Sequence, residues 1–143
     1  MIAALMVVLA LQGQVVVKGG PPPKPVPRDA PATLPDTPQA KHVKAYIEAF
    51  NSGDEKKFLA VQEELMSSES LTRRPADQRA SMYARMKGDF GTLKIARAAA
   101  DADGIRIVVP DRDGNEAIMS FQFEAKAPYK IKGIAVDISN VQR

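Results

Sequence analysis

Residues 105–123, IRIVVPDRDGNEAIMSFQF, are the most informative part of the chain for its fold, because they contain two alternating segments separated by a turn. In the first segment Ile105, Ile107 and Val109 occupy every second position, which is the spacing of a strand with one buried side. Residues 111–115 (DRDGN) have the composition of a hairpin turn. The second segment has a matching apolar row, which consists of Ala117, Met119, Phe121 and Phe123. The stretch therefore predicts two antiparallel strands.

Further strands are predicted on both sides of this pair. Upstream, the same period of two begins at residues 92–95, and residues 101–104 (DADG) have a turn composition. Downstream, a last strand is predicted over residues 130–138. Lys132 falls there on the apolar side of the strand, and the adjacent Gly133 predicts a bulge that restores the alternation. Four sequential strands joined by hairpins predict an antiparallel sheet.

The segment before the sheet has helical periodicity. A first helix is predicted to begin with Thr37 as N-cap and Pro38 at its first position. It is predicted to end at residues 51–53 (NSG), where Gly53 supplies a left-handed residue. The spacing i, i+3, i+4, i+7 places one apolar stripe on this helix, and its members are Val43, Tyr46, Ile47 and Phe50.

Two more helices are predicted downstream. Asp54 is the predicted N-cap of a second helix, whose stripe consists of Phe58, Val61, Gln62 and Leu65. Residues 67–74 are predicted as a short helical turn and a connection. A third helix is predicted from Pro75 to Gly88, with a buried side that consists of Met82, Tyr83 and Met86. The sequence therefore predicts an α+β fold, in which three N-terminal helices pack on one face of a curved four-stranded antiparallel sheet.

The segment AYIEAFNSGD, residues 45–54, carries a family resemblance. A first helix that ends in an aromatic residue and Asn-Ser-Gly-Asp, then a second helix and a strand meander, resembles the nuclear-transport-factor-two-like superfamily. The resemblance covers most of residues 39–138 and implies a cystatin-like cone. Residues 88–93 (GDFGTL) also resemble small exported domains found before serine hydrolases or peptidases in bacteria.

This resemblance implies a binding function for residues 39–143. The implied pocket lies between the first helix and the apolar row of the sheet, and its candidate residues are Tyr46, Phe50, Met119, Phe121 and Phe123. We expect a non-catalytic domain that binds an unknown small molecule in the cone or a protein on the sheet, as an accessory to a secreted hydrolase in one variant. A homodimer through the sheet is also left open.

A small isomerase or lyase is the alternative. Tyr46 matches, by position, the tyrosine that donates to the oxyanion in the ketosteroid isomerases of the superfamily. That chemistry also requires a carboxylate base. The resemblance implies a base on a strand just after the second helix, where this chain has residues 67–70 (SSES), Arg73 and Arg74.

The composition excludes several chemistries. The chain has no Cys, which excludes thiolate metal sites and cysteine nucleophiles, and its one His excludes a multi-histidine site within one chain. The two Asp-Gly segments are typical of hairpin turns rather than calcium loops. The basic pairs at residues 56–57 and 73–74 are interleaved with glutamates, and the adjacent Phe58 belongs to the predicted apolar stripe, so nucleic acid is not an expected partner. We expect no cofactor and no metal.

The first 38 residues differ from the rest of the chain. Residues 1–17 are apolar except at positions 12–14, and the run over residues 1–11 has the length of a signal-peptide core. Secretion or periplasmic export is therefore predicted, with an uncleaved membrane anchor as the alternative. Residues 18–38 contain eight of the eleven prolines and are predicted as an extended, solvated spacer.

Overall fold

A computed structural model of the chain describes residues 24–138. Its helices are α1 (Pro38–Asn51), α2 (Glu55–Leu65), α3 (Ser68–Arg73) and α4 (Ala76–Phe90). Its strands are β1 (Arg97–Asp101), β2 (Gly104–Pro110), β3 (Glu116–Phe123) and β4 (Ile131–Asp137). The predicted signal segment, residues 1–17, lies outside the described residues.

The strands form one antiparallel sheet with the order β1-β2-β3-β4. The sheet is open, since β1 and β4 are its two edges, and the α+β class predicted from the sequence is confirmed. The predicted number of helices is wrong, because the described residues contain four helices rather than three. The additional helix is α3, which has its own N-cap in Ser67, whose hydroxyl accepts a hydrogen bond from the backbone N–H of Ser70 at 3.2 Å.

The caps of the first two helices agree with the sequence analysis. The Thr37 hydroxyl accepts a hydrogen bond from the backbone N–H of Ala40 at 3.1 Å, and Pro38 occupies the first helical position. Gly53, with φ of 78°, follows the end of α1. Asp54 then caps α2 through a hydrogen bond from the backbone N–H of Lys57 at 3.2 Å.

The predicted start of the first strand is wrong. Residues 92–95 are not in a strand, and β1 begins only at Arg97. The reason is the side chain of Asn51, whose amide donates to the carbonyl of Leu93 at 2.9 Å and accepts from its N–H at 2.7 Å. The backbone of Leu93 is therefore paired with the end of α1 instead of a neighbouring strand.

The predicted bulge in the last strand is confirmed. Gln122 pairs with Gly133 and Phe123 pairs with Ile131, so Lys132 is an extra residue in β4. Because of this insertion, Ile131 and Ile134 both face the helices, while Lys132 stays exposed.

The helices cover the inner face of the sheet, which we define as the face that carries Ile105, Ile107 and Val109 on β2 and Ala117, Met119 and Phe121 on β3. These residues share one buried cluster with the apolar stripes of α1, α2 and α4. On α4 the prediction was partly wrong, because Met82 is 39% exposed and the helix continues to Phe90. Its buried side consists of Arg79, Tyr83, Met86 and Phe90, at the spacing i, i+4, i+7, i+11.

The first two hairpin turns are fixed in different ways: the first by a close approach to β3, and the second by hydrogen bonds to α4. Gly104 begins β2 with φ of 130°, and a Cβ atom there would lie 2.1 Å from the carbonyl oxygen of Phe121, so only glycine fits. Arg112, in the β2–β3 turn, donates from Nε to the carbonyl of Gly88 at 2.8 Å and from a terminal nitrogen to that of Lys87 at 3.1 Å. A guanidinium at these carbonyls also interacts favourably with the negative end of the α4 dipole.

Candidate functional site

The predicted pocket residues lie together on the inner side of the sheet. Tyr46, Phe50, Met119 and Phe121 are each at most 3% exposed, and Phe123 is half-buried at the border of the same cluster. The predicted pocket residues are therefore in one region of the structure, on α1 and β3. Their surroundings decide whether the region can accept a ligand.

Aromatic rings from two further helices fill the space between α1 and the sheet. Tyr46 packs edge-on against Phe58 of α2 at 5.1 Å between ring centroids and against Phe121 at 5.5 Å. Phe50 contacts Phe58 at 5.6 Å and Tyr83 of α4 at 5.4 Å. These are ordinary distances for packed aromatic pairs. The candidate pocket residues therefore form part of a packed aromatic cluster, in which Phe58 and Tyr83 were not foreseen as members of the site.

Burial determines the chemistry of Tyr46. It raises the pKa of the Tyr46 phenol far above its usual range, and no charged group among residues 24–138 contributes to this shift. The phenol is thus neutral at every physiological pH. A neutral phenol can donate a hydrogen bond, but isomerase chemistry also needs a carboxylate that would act beside it.

Tyr83 has a buried hydroxyl without a hydrogen-bond partner among the described residues. Burial first, and then the carboxylates of Glu55 and Asp54, raise the pKa of Tyr83 above its usual value. The Tyr83 ring packs against the rings of Phe50 and Phe58.

Arg79 is the buried cation of the helical layer. Its Nε donates to the carbonyl of Arg74 at 2.9 Å, and a terminal nitrogen lies 3.6 Å from the Glu63 carboxylate. The other terminal nitrogen lies 3.5 Å from the side-chain oxygen of Gln62. These contacts connect α2 to α4, so Arg79 has a structural role.

The outer face of the sheet has a different cover. We define the strap as residues 24–36. Val26 of the strap is 6% exposed and forms a second apolar cluster with Val108 of β2 and Ile118 of β3, against which Ala30 and Ala99 also pack. The prediction of a solvated spacer fails at Val26, which packs against apolar residues of the sheet, whereas most of the other strap residues are exposed.

The strap also covers the edge strand β1. The backbone N–H of Ala98 donates to the carbonyl of Pro31 at 2.8 Å, and Leu34 packs against the inner cluster. Lys24 forms an ion pair with Asp103 in the β1–β2 turn, where both side chains are more than half exposed. The strap thus runs from the outer face, around the β1 edge, to the N-terminus of α1.

Two shallow grooves border the strap. The first has a volume of about 380 Å³ and is lined by strap residues and by Arg97, Val108, Glu116 and Ile118. The second has a volume of about 330 Å³ and lies between residues 31–35 and the backbone of β1 at residues 98–100. The strap therefore covers the outer face incompletely.

Polar side chains surround the Val26 contact. In the sheet register Arg97 lies opposite Val108, and Arg106 lies between Ala99 and Ser120. Arg97 pairs with the Glu116 carboxylate at 3.1 Å, and the 8%-exposed Arg106 pairs with Asp101 at 3.1 Å.

Several polar atoms on this face are unpaired. Within residues 24–138, four buried side-chain atoms have no hydrogen-bond partner, and three of them lie on the outer face: Nε of Arg97, Nε of Arg106 and Oγ of Ser120. An unpaired buried polar atom carries a desolvation cost of about 1–3 kcal/mol. The cost is avoided if a segment that replaces their present cover supplies the missing hydrogen-bond partner, so these atoms are polar groups that the present cover leaves unmatched.

His42, the one histidine of the chain, forms a contact between two parts of the fold. The ring Nε2 of His42 lies 2.8 Å from the carbonyl oxygen of Pro128, and connects α1 to the β3–β4 turn. Across residues 24–138 no group of three or more His, Asp or Glu side chains is placed to hold a metal ion. In the same range no helix is long and apolar enough to cross a membrane.

The class defined by these observations is an α+β domain with an open four-stranded sheet, packed helices on one face and a proline-rich strap on the other. Neither a protein-family model nor a curated protein matches the chain.

Proposed function

We propose that this chain is a non-catalytic binding domain whose binding surface is the outer face of the sheet, and that it takes a proline-containing segment of another protein. One observation carries the proposal: a proline-containing segment, the strap, already lies on that face, with a turn in which the backbone N–H of Ala30 donates to the carbonyl of Pro27 at 3.1 Å. Val26 is buried there between the prolines at positions 25 and 27, and the sheet donates a hydrogen bond to Pro31. The surface therefore has the properties that a peptide-binding face requires.

The inner face supports a small-molecule site less well. A ligand between α1 and β3 would have to displace rings that contact one another at 5.0–5.6 Å. The outer face offers grooves and unpaired polar atoms without any change in the core. For the same reason we do not favour an isomerase or lyase that uses Tyr46.

We also propose that the domain belongs to the cystatin-like cone class and acts outside the cytoplasm. The order of helices before a sequential antiparallel sheet supports the first part. The apolar residues 1–17 support export as a secreted or periplasmic protein, with attachment to the membrane through these residues as the second form. A homodimer that stacks on a face of the sheet would have to use the outer face, because helices cover the inner one, and would therefore displace the strap.

The experiment that tests the binding surface combines peptide selection with mapping. Peptides are selected from a displayed random library on the immobilised full chain, and the bound peptides are mapped by backbone amide shifts. We expect shifts at Arg97, Arg106, Val108, Ile118 and Ser120. Ile118→Asp should abolish binding, whereas Tyr46→Phe, matched as an inner-face control, should leave it unchanged. Shifts confined to α1 and the inner row, with a loss of binding in Tyr46→Phe, would instead show a ligand in the cone.

Export is tested separately by the intact mass of the protein isolated from its native host. We expect a mature chain that begins between Leu11 and Lys18. A cytosolic protein that retains Met1 would contradict export, and a membrane-bound chain that retains Met1 would show the anchored form.

A further inference from the structure

Resting on the proposed function, we infer that the strap is an internal ligand that must be displaced before a partner binds, and that the partner supplies a segment of the same chemistry. That chemistry is a non-helical chain with a branched aliphatic residue between two prolines and with free main-chain carbonyl groups. The strap thus keeps the binding face closed until a better segment replaces it.

The strap binds the sheet as a separate peptide would. Its only anchor in the apolar cluster of the outer face is Val26, with Ala30 packed at the border. Proline has no backbone N–H, so a proline-rich segment can accept hydrogen bonds from a sheet edge but offers few donors for extending the sheet. The hydrogen bond from Ala98 to the Pro31 carbonyl has this direction. Recognition of the strap therefore rests on one buried side chain and on one backbone hydrogen bond that the strap accepts.

The strap is held weakly enough to be displaced. The ion pair between Lys24 and Asp103 has side chains that are 59% and 62% exposed, and exposed pairs of this kind contribute little. The two grooves beside the strap are not filled by it. A competing segment can therefore match the Val26 contact and add contacts that the strap lacks.

The unpaired polar atoms show which contacts the strap lacks. Nε of Arg106 and Oγ of Ser120 belong to residues that lie directly opposite each other on β2 and β3, and Nε of Arg97 is near the groove beside Val26. The Arg106 and Arg97 guanidinium groups are already neutralised by Asp101 and Glu116. A neutral acceptor is therefore sufficient, and a main-chain carbonyl supplies it without adding charge.

The tether makes the strap an effective competitor despite its few contacts. A segment joined to its site by a short linker has an effective concentration on the order of millimolar. The apparent affinity for an external segment is then reduced by the fraction of molecules in which the site is closed. Loosening the strap should raise the apparent affinity without any change in the sheet.

The test uses the full chain and a fluorescent synthetic peptide that copies residues 21–36. Val26→Ser loosens the strap and leaves the sheet intact, and Asp29→Asn, at an exposed strap residue, is the matched control. We expect Val26→Ser to bind the peptide at least tenfold more tightly than the wild type and Asp29→Asn to bind like the wild type. A peptide with serine in place of its valine should not bind any of the three.

A locked form provides the complementary measurement. The chain has no cysteine, so Val26→Cys with Ile118→Cys creates a single pair that can be oxidised to fix the strap on the sheet. We expect no peptide binding in the oxidised form and recovery of binding on reduction. Equal binding by the wild type, Val26→Ser and the oxidised form would overturn the inference, as would no binding by a folded Val26→Ser.

The two proposals fail in different ways. Selected peptides that shift the outer-face amides equally in the wild type and in Val26→Ser would leave the binding function standing and refute the role of the strap. A library that yields no outer-face peptide in either protein would refute the binding function itself.

Discussion

The inner face of the sheet is apolar, the outer face combines a few apolar residues with arginine and serine side chains, and the two faces are covered in different ways. The inner face is covered by four helices, and its aromatic rings contact one another in a closed cluster. The outer face is covered by thirteen residues of strap, with one buried side chain, two grooves and three unpaired polar atoms. The comparison shows that burial by itself does not identify a binding site. A face that is covered by few buried side chains, and that contains unpaired hydrogen-bonding groups, is a better candidate for a binding site.

The largest effect is expected at Gly104, where β2 approaches β3. Gly104→Ala places a Cβ atom 2.1 Å from the carbonyl oxygen of Phe121, and backbone cannot move away without breaking the sheet. We expect a loss of about 4 kcal/mol or more, which would leave the chain unfolded in a urea titration followed by circular dichroism. The control is Gly114→Ala, which meets no atom within 4 Å and should cost only about 1–2 kcal/mol from its positive φ. If Gly104→Ala still folded, the start of β2 would have to move away from β3 more easily than the close approach to Phe121 indicates.

The inner face should respond strongly to the loss of one ring. Phe58 is 2% exposed and contacts Tyr46, Phe50 and Tyr83. We expect Phe58→Ala to lower the free energy of unfolding by about 3–5 kcal/mol, measured by urea denaturation. Leu59→Ala on the same helix, at a half-buried position, is the control and should cost clearly less. Similar costs at the two positions would mean that the aromatic cluster is not the centre of the core.

The outer face should respond moderately to the same kind of change. Val26→Ala removes two methyl groups from the contact with Val108 and Ile118, and we expect a loss of about 1–2 kcal/mol in the free energy of unfolding. Thermal denaturation of Val26→Ala beside Asp29→Asn measures this loss. An unchanged stability would show that the strap is solvated, as the sequence analysis predicted.

The smallest effect is expected from acid, at the β1–β2 turn. The backbone N–H of Asp103 and then the Arg106 guanidinium lower the pKa of Asp101 below its usual value. Because the folded pKa is depressed, the stabilisation is present above the unfolded pKa of about 3.9 and is lost as pH falls through the lower folded value. Asp101→Asn should be less stable than the wild type at neutral pH, and the difference should shrink below about pH 4. A difference that does not change with pH would contradict the role of the charge.

The helix caps, the hairpin order and the bulge were predictable because each depends on local chemistry. The helix ends depend on residues within one turn of each helix, namely Thr37, Gly53 and Asp54. The bulge at Gly133 restores the alternation of inner and outer residues, which can be counted along a single strand. The start of β1 was not predictable, because the partner of Leu93 is Asn51, which lies far away in the sequence. Met82 was predicted to be buried because it is apolar and next to Tyr83. The buried side of the helix instead follows the spacing that begins at Arg79, which is a charged residue.

The strap was missed although a signal for it exists. Val108 and Ile118 are apolar residues at positions that alternation assigns to the outer face. A strand with apolar residues on both sides indicates a sheet that is covered on both faces. The valine within the proline-rich segment was the available partner, but nothing local connects Val26 to Val108.

Periodicity, caps and turns are properties of neighbouring residues, so they were sufficient to predict the α+β class, the sequential antiparallel strands and the inner apolar row. The membership of the inner aromatic cluster, the position of residues 24–36 on the sheet and the unpaired polar atoms of the outer face could not be predicted in this way. These features depend on contacts between distant segments. A contact between Val26 and Ile118, or between Tyr46 and Phe58, exists only after the elements have packed.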